Sequence, residues 1–427
     1  MVSKAEIYAK AQRHDSPAMT ASAAAPIKPP EPDLTPAKMI ERARAMRSYL
    51  RERQDQCEAA GELPPETNDA FVTAGFYRTV QPRCFGGYEF DVQTFLQVMI
   101  EIARGCPSSG WVLALTAGHP IVMAKFPEQA QREAYGVDGE FRGPFSRSTA
   151  IAVPADGGFT IKGNWDYASG CDIATHFIGS ALLHDESGKP HRQMLLLFDR
   201  KDFSIVDNWQ VFGMQGTGSR RVVIENDLFV PQHRTIFWEL LDGHPAPWPT
   251  PTGLSNPMYH GRITSFLIGE ATAVAVGIAR GALDLYEELL KTKSTPFPPF
   301  TARSENYEFQ QHFGKAHALV DTAEAALLKF GQDFVEVCAR HVADGVSFNG
   351  EIERRFLIML QQCVSLTWEA VDLLFSTAGT SVARRDSMLG RHFRDLAVLR
   401  THVTLQQGRT ALNFARIHFG LPPWSPM

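Results

Sequence analysis

The chain is short of cysteine, and the few it has are poorly spaced for metal or redox chemistry. Six cysteines in 427 residues stand at positions 57, 84, 106, 171, 338 and 363, with no C-x-x-C pair among them. That spacing argues against a zinc site or a redox dithiol and fits a reducing cytoplasm. An excess of positive charge is also lacking. A net charge of −5 leaves no basic field to attract nucleic acid or an anionic membrane surface. No uninterrupted run of about 18 apolar residues occurs, which argues against a membrane span. The opening MVSKAEIYAKAQRHDSP lacks the apolar core of a secretion signal. G-K-[ST], H-E-x-x-H and G-x-S-x-G are absent as well. Among the 14 histidines, His312 and His317 are five apart and do not share a helix face, so no metal is expected. The close glycines of GMQGTGSRR imitate a nucleotide loop. A dinucleotide fingerprint must open a helix, however, and here strand-like RRVVIENDLFV follows. If the protein handles electrons, they come from elsewhere.

What is present divides the chain by period. Residues 1–35, with TASAAAPIKPPEPDLTP, have too little apolar surface to order themselves and read as a flexible arm. Residues 36–140 read as helical: Thr35 is an N-cap with Pro36 behind it, and Phe95, Val98, Met99 and Ile102 recur at helical spacing. From 141 to 240, short β-branched and aromatic runs alternate with turns such as Ala155-Asp156-Gly157-Gly158. A link rich in Pro, Gly and Trp, GHPAPWPTPTGLSNP, follows. Residues 258–420 read as four long antiparallel helices, the last from about Asp395 to His418.

One strand sets a question. GNWDYASGCD, Gly163 to Asp172, runs into a serine and a glycine. Together with MQGTGSRRVVIENDLFVP, GIARGALD and GRHFRDLAV, this α–β–α order resembles the acyl-CoA dehydrogenase superfamily over about residues 36–420. The resemblance implies an α+β, acyl-CoA dehydrogenase-like fold: an N-terminal helical domain, a central β-barrel or sandwich domain and a C-terminal four-helix bundle. Departures mark a branch. Where the dehydrogenases carry a catalytic glutamate after Arg-Asp, this chain reads RTHVTL, with His402 and no acid; Glu270 lies a turn from the alternative base position. Ser108, Ser109, Gly110, Trp111 and His119 match S-S-G-W-x(7)-H, and Tyr167, Ser169, Gly170, Cys171 and Asp172 match [FY]-x-S-G-C-D. With His402, these resemble the oxygenase components of two-component (group D) flavin-dependent monooxygenases.

That resemblance implies reduced FAD or FMN with O2, delivered by a separate NAD(P)H:flavin reductase. It implies a flavin C4a-hydroperoxide that hydroxylates a small aromatic or heteroaromatic substrate, phenol- or indole-like, in a homotetramer. Ser169 is expected to face flavin N5, with Gly170 letting the ring approach. Trp111, Ser146, Tyr167 and Arg262 are the other expected flavin contacts. His119, Phe266, Ser146 and His402 are the expected substrate contacts, and His402, Ser169 and His119 the catalytic set. In the dehydrogenase R-x-x-F-G motif the arginine is replaced by Gln310, which leaves FAD and FMN both open. Two other readings stand beside this one: an acyl-CoA dehydrogenase-like enzyme with tightly held FAD, and a non-catalytic helical scaffold.

Overall fold

The computed structural model describes residues 26–148, 150–184, 188–237 and 253–424. Most of the expected arm and of the Pro/Gly/Trp link lies outside them. The last ten residues of the arm do not behave as read: Ile27 bridges to Phe85, its N–H bonding the Cys84 carbonyl at 3.1 Å, and Leu34 is buried. Even a proline-rich segment docks when it has an apolar side chain to bury and a free backbone edge to pair with.

The N-terminal helices are α1 (Pro36–Ala45), α2 (Arg47–Glu52), α3 (Gln54–Ala60), α4 (Pro65–Ala74), α5 (Val92–Gly105), α6 (Pro107–Ala117), α7 (Pro120–Met123) and α8 (Glu128–Tyr135). Their starts follow from local chemistry. Thr35 accepts from the Lys38 N–H, and the Asp91 carboxylate accepts from the Thr94 N–H at 2.7 Å. Phe95, Val98, Met99 and Ile102 all lie on the buried face of α5.

The sheet has eight strands: β1 (Phe145–Ser146), β2 (Ile151–Ala155), β3 (Gly158–Ala168), β4 (His176–His184), β5 (Pro190–Asp199), β6 (Ser204–Val206), β7 (Arg220–Pro231) and β8 (Thr235–Phe237). Their order is β6-β7-β3-β2-β4-β5-β8, with β1 added parallel to β4. Asp156-Gly157 makes the two-residue β2–β3 turn, and Gly157 has φ +78°. Trp165 is fully buried in the sheet's own core and donates its indole N–H to the Ser180 carbonyl at 2.8 Å.

The C-terminal helices are α9 (Ile263–Thr292), α10 (Tyr307–Asp344), α11 (Gly350–Thr377), α12 (Met388–Leu399) and α13 (Gln407–His418). The expected single fourth helix is thus two. The chain breaks at 400–406, where His402 turns extended (ψ 130°) and its imidazole receives the Thr404 N–H. Helices α9 and α11 are each long and apolar enough to cross a bilayer, against the expectation from uninterrupted runs. In α9, 89% of the apolar window is buried inside the protein, and in α11 50% is. Small residues account for the close packing of α9: a Cβ on Gly277 would lie 2.6 Å from the Ala103 side chain and from the Ile100 carbonyl of α5.

Candidate active site

The regular pairing of β3 with β7 fails between Trp165 and Ala168, and there Tyr167 takes φ +61°. A non-glycine residue in this region costs free energy, so the surrounding contacts must hold it. Tyr167 is 74% exposed and stands edge-on to Trp209, ring centroids 6.2 Å apart. The kink delivers Ser169, which is buried, to the N-terminal helices. Gly170 follows with φ +76°. A Cβ there would press on Val112 and Thr116 of α6, at 3.0 and 3.2 Å. Gly170 thus makes the left-handed turn and admits α6.

Four hydroxyl and indole groups meet at this corner. The Trp111 indole Nε1–H donates to Ser169 Oγ at 2.9 Å. Ser169 Oγ lies 2.7 Å from Ser219 Oγ, which lies 2.6 Å from Thr217 Oγ1. Thr217 Oγ1 donates to the Met214 carbonyl at 2.9 Å. Ser219 and Thr217 were not expected as site residues. Their signal lay in QGTGS, where Gly218 (φ +52°) turns the chain between two hydroxyl residues.

The Met214 peptide is itself pinned. Its N–H donates to the Asp395 carboxylate at 2.5 Å, and its carbonyl also receives the Trp209 indole N–H at 3.1 Å. Burial pushes the Asp395 carboxyl up to about 7, against the pull of the Met214 N–H. A raised carboxyl pKa means the folded state holds the proton longer than the unfolded one. Stability is therefore lost as pH rises from about 4 to about 7. Asp395→Asn is expected to flatten that decline, read from denaturation midpoints across the window.

His402 reaches the same corner from the break between α12 and α13. Its ring stands edge-on to Trp111, centroids 6.0 Å apart, and Nδ1 is 2.8 Å from Thr404 Oγ1. His402 itself is exposed. Desolvation first, and the Arg147 charge second, lower its pKa below the usual histidine value. Residue Ser146, one position before Arg147, is buried in β1 and spends its hydroxyl on the Asp166 carbonyl.

His119, buried between α6 and α7, has Nδ1 2.6 Å from the Gly143 carbonyl, so Nδ1 carries the hydrogen. Its Nε2 is 3.4 Å from the Glu270 carboxylate, and its ring is edge-on to Phe145 at 6.2 Å. Glu270 is fully buried, and burial raises its pKa. A Cβ on Gly118 would lie 2.1 Å from its Oε2. This acid is thus packed behind His119 and Gly118. The structure brings Trp111, Ser169 and His402 together and sets His119 beside the strand that carries Ser146. Two further expected residues have packing and charge partners of their own. Phe266 is fully buried between Phe95 and Phe334, and Arg262, 2% exposed, pairs with Glu353 at 2.5 Å. Among the described residues, no group of three or more His, Cys, Asp or Glu could hold a metal.

A helix–sheet–bundle chain whose kinked strand carries a buried hydroxyl to a helix corner has the architecture of the acyl-CoA dehydrogenase fold. Residues 39–137 match the model for the acyl-CoA dehydrogenase N-terminal domain, and residues 270–407 that for its C-terminal domain. The chain belongs to the family of flavin-dependent monooxygenase oxygenase subunits. It is 30% identical over 400 residues to the oxygenase subunit HsaA of Rhodococcus jostii, covering 90% of this chain and 98% of that protein. It is 26% identical to the oxygenase component of an FADH2-dependent resorcinol hydroxylase from a Rhizobium species, over 90% of this chain and 95% of that protein. The solved structure of XiaF from a Streptomyces species, in complex with FADH2 and glycerol, superposes with a TM-score of 0.84 at 25% identity, covering 92% of this chain and 97% of that one.

Proposed function

We propose that this protein hydroxylates a phenolic ring with reduced flavin and O2, the flavin being supplied by a separate NAD(P)H-dependent reductase. The observation that carries the reading is the Trp111 corner: a buried serine acceptor bonded to the indole and a neutral histidine at the ring's other side. These residues fit a flavin edge. Ser169 Oγ, already accepting from Trp111, keeps acceptor capacity for an N–H, as N5 of a reduced flavin presents. When bound, reduced flavin supplies the electrons that activate O2. The chain's own residues do the rest. Ser169 holds the N5 proton, Trp111 walls the ring from water, and Tyr167 and Ser146 border the site from the sheet. His119, oriented by the Gly143 carbonyl, contacts the substrate from the turn between α6 and α7.

His402 takes the phenol proton. In the tautomer that donates Nδ1–H to Thr404 Oγ1, which gives up the 3.4 Å contact from the Thr404 N–H, Nε2 is free to accept it. A dehydrogenase reading is disfavoured because the carboxylate it needs is His402 in this chain, and Glu270 is sealed in the core. Six free thiols support a cytoplasmic location, and the half-exposed apolar window of α11 supports a homotetramer. The flavin ring edge is common to FMN and FAD, and both stand as cofactors in this reading.

The direct test mixes the purified protein with chemically reduced FMN or FAD, oxygen and a panel of phenols and indoles. Hydroxylated product is weighed against hydrogen peroxide. Peroxide alone with every ring would overturn the reading. A pH prediction accompanies it. A lowered histidine pKa keeps the imidazole neutral, so kcat/KM for a phenol stays high into mildly acidic pH and falls only as His402 is protonated. His402→Asn is expected to lower the rate about a hundredfold and to abolish that acid limb.

A further inference from the structure

We infer that Ser219 and Thr217 are positioning residues that make Ser169 a one-way acceptor, so that the site selects reduced over oxidised flavin. The inference rests on the placement of Ser169 at flavin N5 and follows from counting hydrogens along the chain of contacts. One end is a carbonyl, which can only accept; the other is an indole N–H, which can only donate. Thr217 lies 2.9 Å from the Met214 carbonyl, so its single hydrogen goes there. In the 2.6 Å contact between Thr217 and Ser219, Ser219 must then donate. Ser219 has no second hydrogen, so in its 2.7 Å contact with Ser169, Ser169 donates. Ser169 accepts from Trp111. Its hydrogen and one lone pair are committed, and one lone pair is left.

That remaining capacity distinguishes the two redox forms. Reduced flavin carries N5–H and finds an acceptor. Oxidised flavin has a bare N5 lone pair facing another lone pair, which is repulsive. The polarity is set from outside the corner. Asp395 and Trp209 hold the Met214 peptide, and Met214 itself sits at φ +56°. Arg394 of α12 clamps the loop through the Phe212 carbonyl at 3.0 Å, and a Cβ on Gly213 would lie 2.3 Å from the Arg394 carbonyl oxygen. The oxygen-bonding loop is thus fixed by the bundle, and the hydroxyl directions follow without any further choice.

The experiment is an equilibrium titration of the full-length protein with oxidised FMN in air and with reduced FMN under anaerobic conditions. Its readout is the ratio of the two Kd values. Thr217→Val removes the terminal donor while Met214 keeps the Trp209 N–H. Ser219 can then turn toward Ser169, and the Ser169 hydrogen is released toward N5. The preference for reduced flavin is expected to fall about tenfold, roughly the worth of one net hydrogen bond. Ser219→Ala, which strips Ser169 of its acceptor, is expected to act in the same direction, and Thr217→Ser to restore the wild-type ratio. A merely structural defect would weaken both redox forms alike, and that result overturns the inference. If Ser169→Ala lowers the ratio but Thr217→Val and Ser219→Ala do not, the chain's polarity is wrong and the Ser169 placement stands. If Ser169→Ala leaves the ratio unchanged, the placement at N5 fails, and the inference with it.

Discussion

Ser169→Ala is expected to cut the hydroxylated product formed per reduced flavin by about tenfold or more, with the lost oxygen recovered as hydrogen peroxide. The alanine removes the acceptor proposed for N5–H. It also leaves the Trp111 indole N–H, bonded to Ser169 Oγ at 2.9 Å, without its acceptor in a buried corner. Each orphaned buried donor costs about 1–3 kcal/mol, and the indole is free to shift away from His402, which it meets edge-on. Two of the three converging residues are therefore affected by one lost oxygen atom. The measurement is the ratio of product to peroxide under single turnover with chemically reduced flavin. Flavin oxidation itself should continue, since electrons still reach O2. An unchanged ratio would show that Ser169 does not protect the reacting site from wasteful oxidation.

The second large effect lies in the bundle. Glu353→Leu alone is expected to destabilise the protein by about 3–5 kcal/mol, because it leaves the Arg262 guanidinium without its principal counter-charge. Both side chains are nearly inaccessible, at 2% and 3% exposure, and the carboxylate also receives the Ser265 N–H at 3.3 Å. The double replacement Arg262→Met with Glu353→Leu should recover most of the loss, since neither charge is then left buried and unpaired. The check is the shift in urea midpoint for the single and double variants at equal protein concentration. A single variant as stable as the parent would mean that water or other partners already solvate the arginine.

Much of this was legible beforehand because it follows from period and local chemistry. The three-part order, the caps at Thr35 and Asp91, the Asp156-Gly157 hairpin and the buried face of α5 depend on residues within a few positions of each other. So does the kinked strand: a β run ending in Tyr-Ala-Ser-Gly carries its own instruction to turn. Trp111, Ser169 and His402 were legible as separate motifs, 58 and 233 residues apart along the chain.

What the sequence by itself determined, then, is which groups are present and which local geometries they can take. Only the tertiary structure decided which of those groups meet and in what electrical state. His402 is a depressed base because desolvation, and after it the charge of Arg147, disfavours its protonated form, and burial pushes Asp395 toward neutrality. Glu270, a candidate acid by its position in the chain, is enclosed by His119 and Gly118, and Phe266 became core when α9 packed on α5 and α10. The hydroxyls of Thr217 and Ser219 gained their direction from a carbonyl at one end and an indole at the other. Desolvation and hydrogen-bond polarity are properties of surroundings, and for these residues much of the surroundings comes from segments 50 or more residues away along the chain.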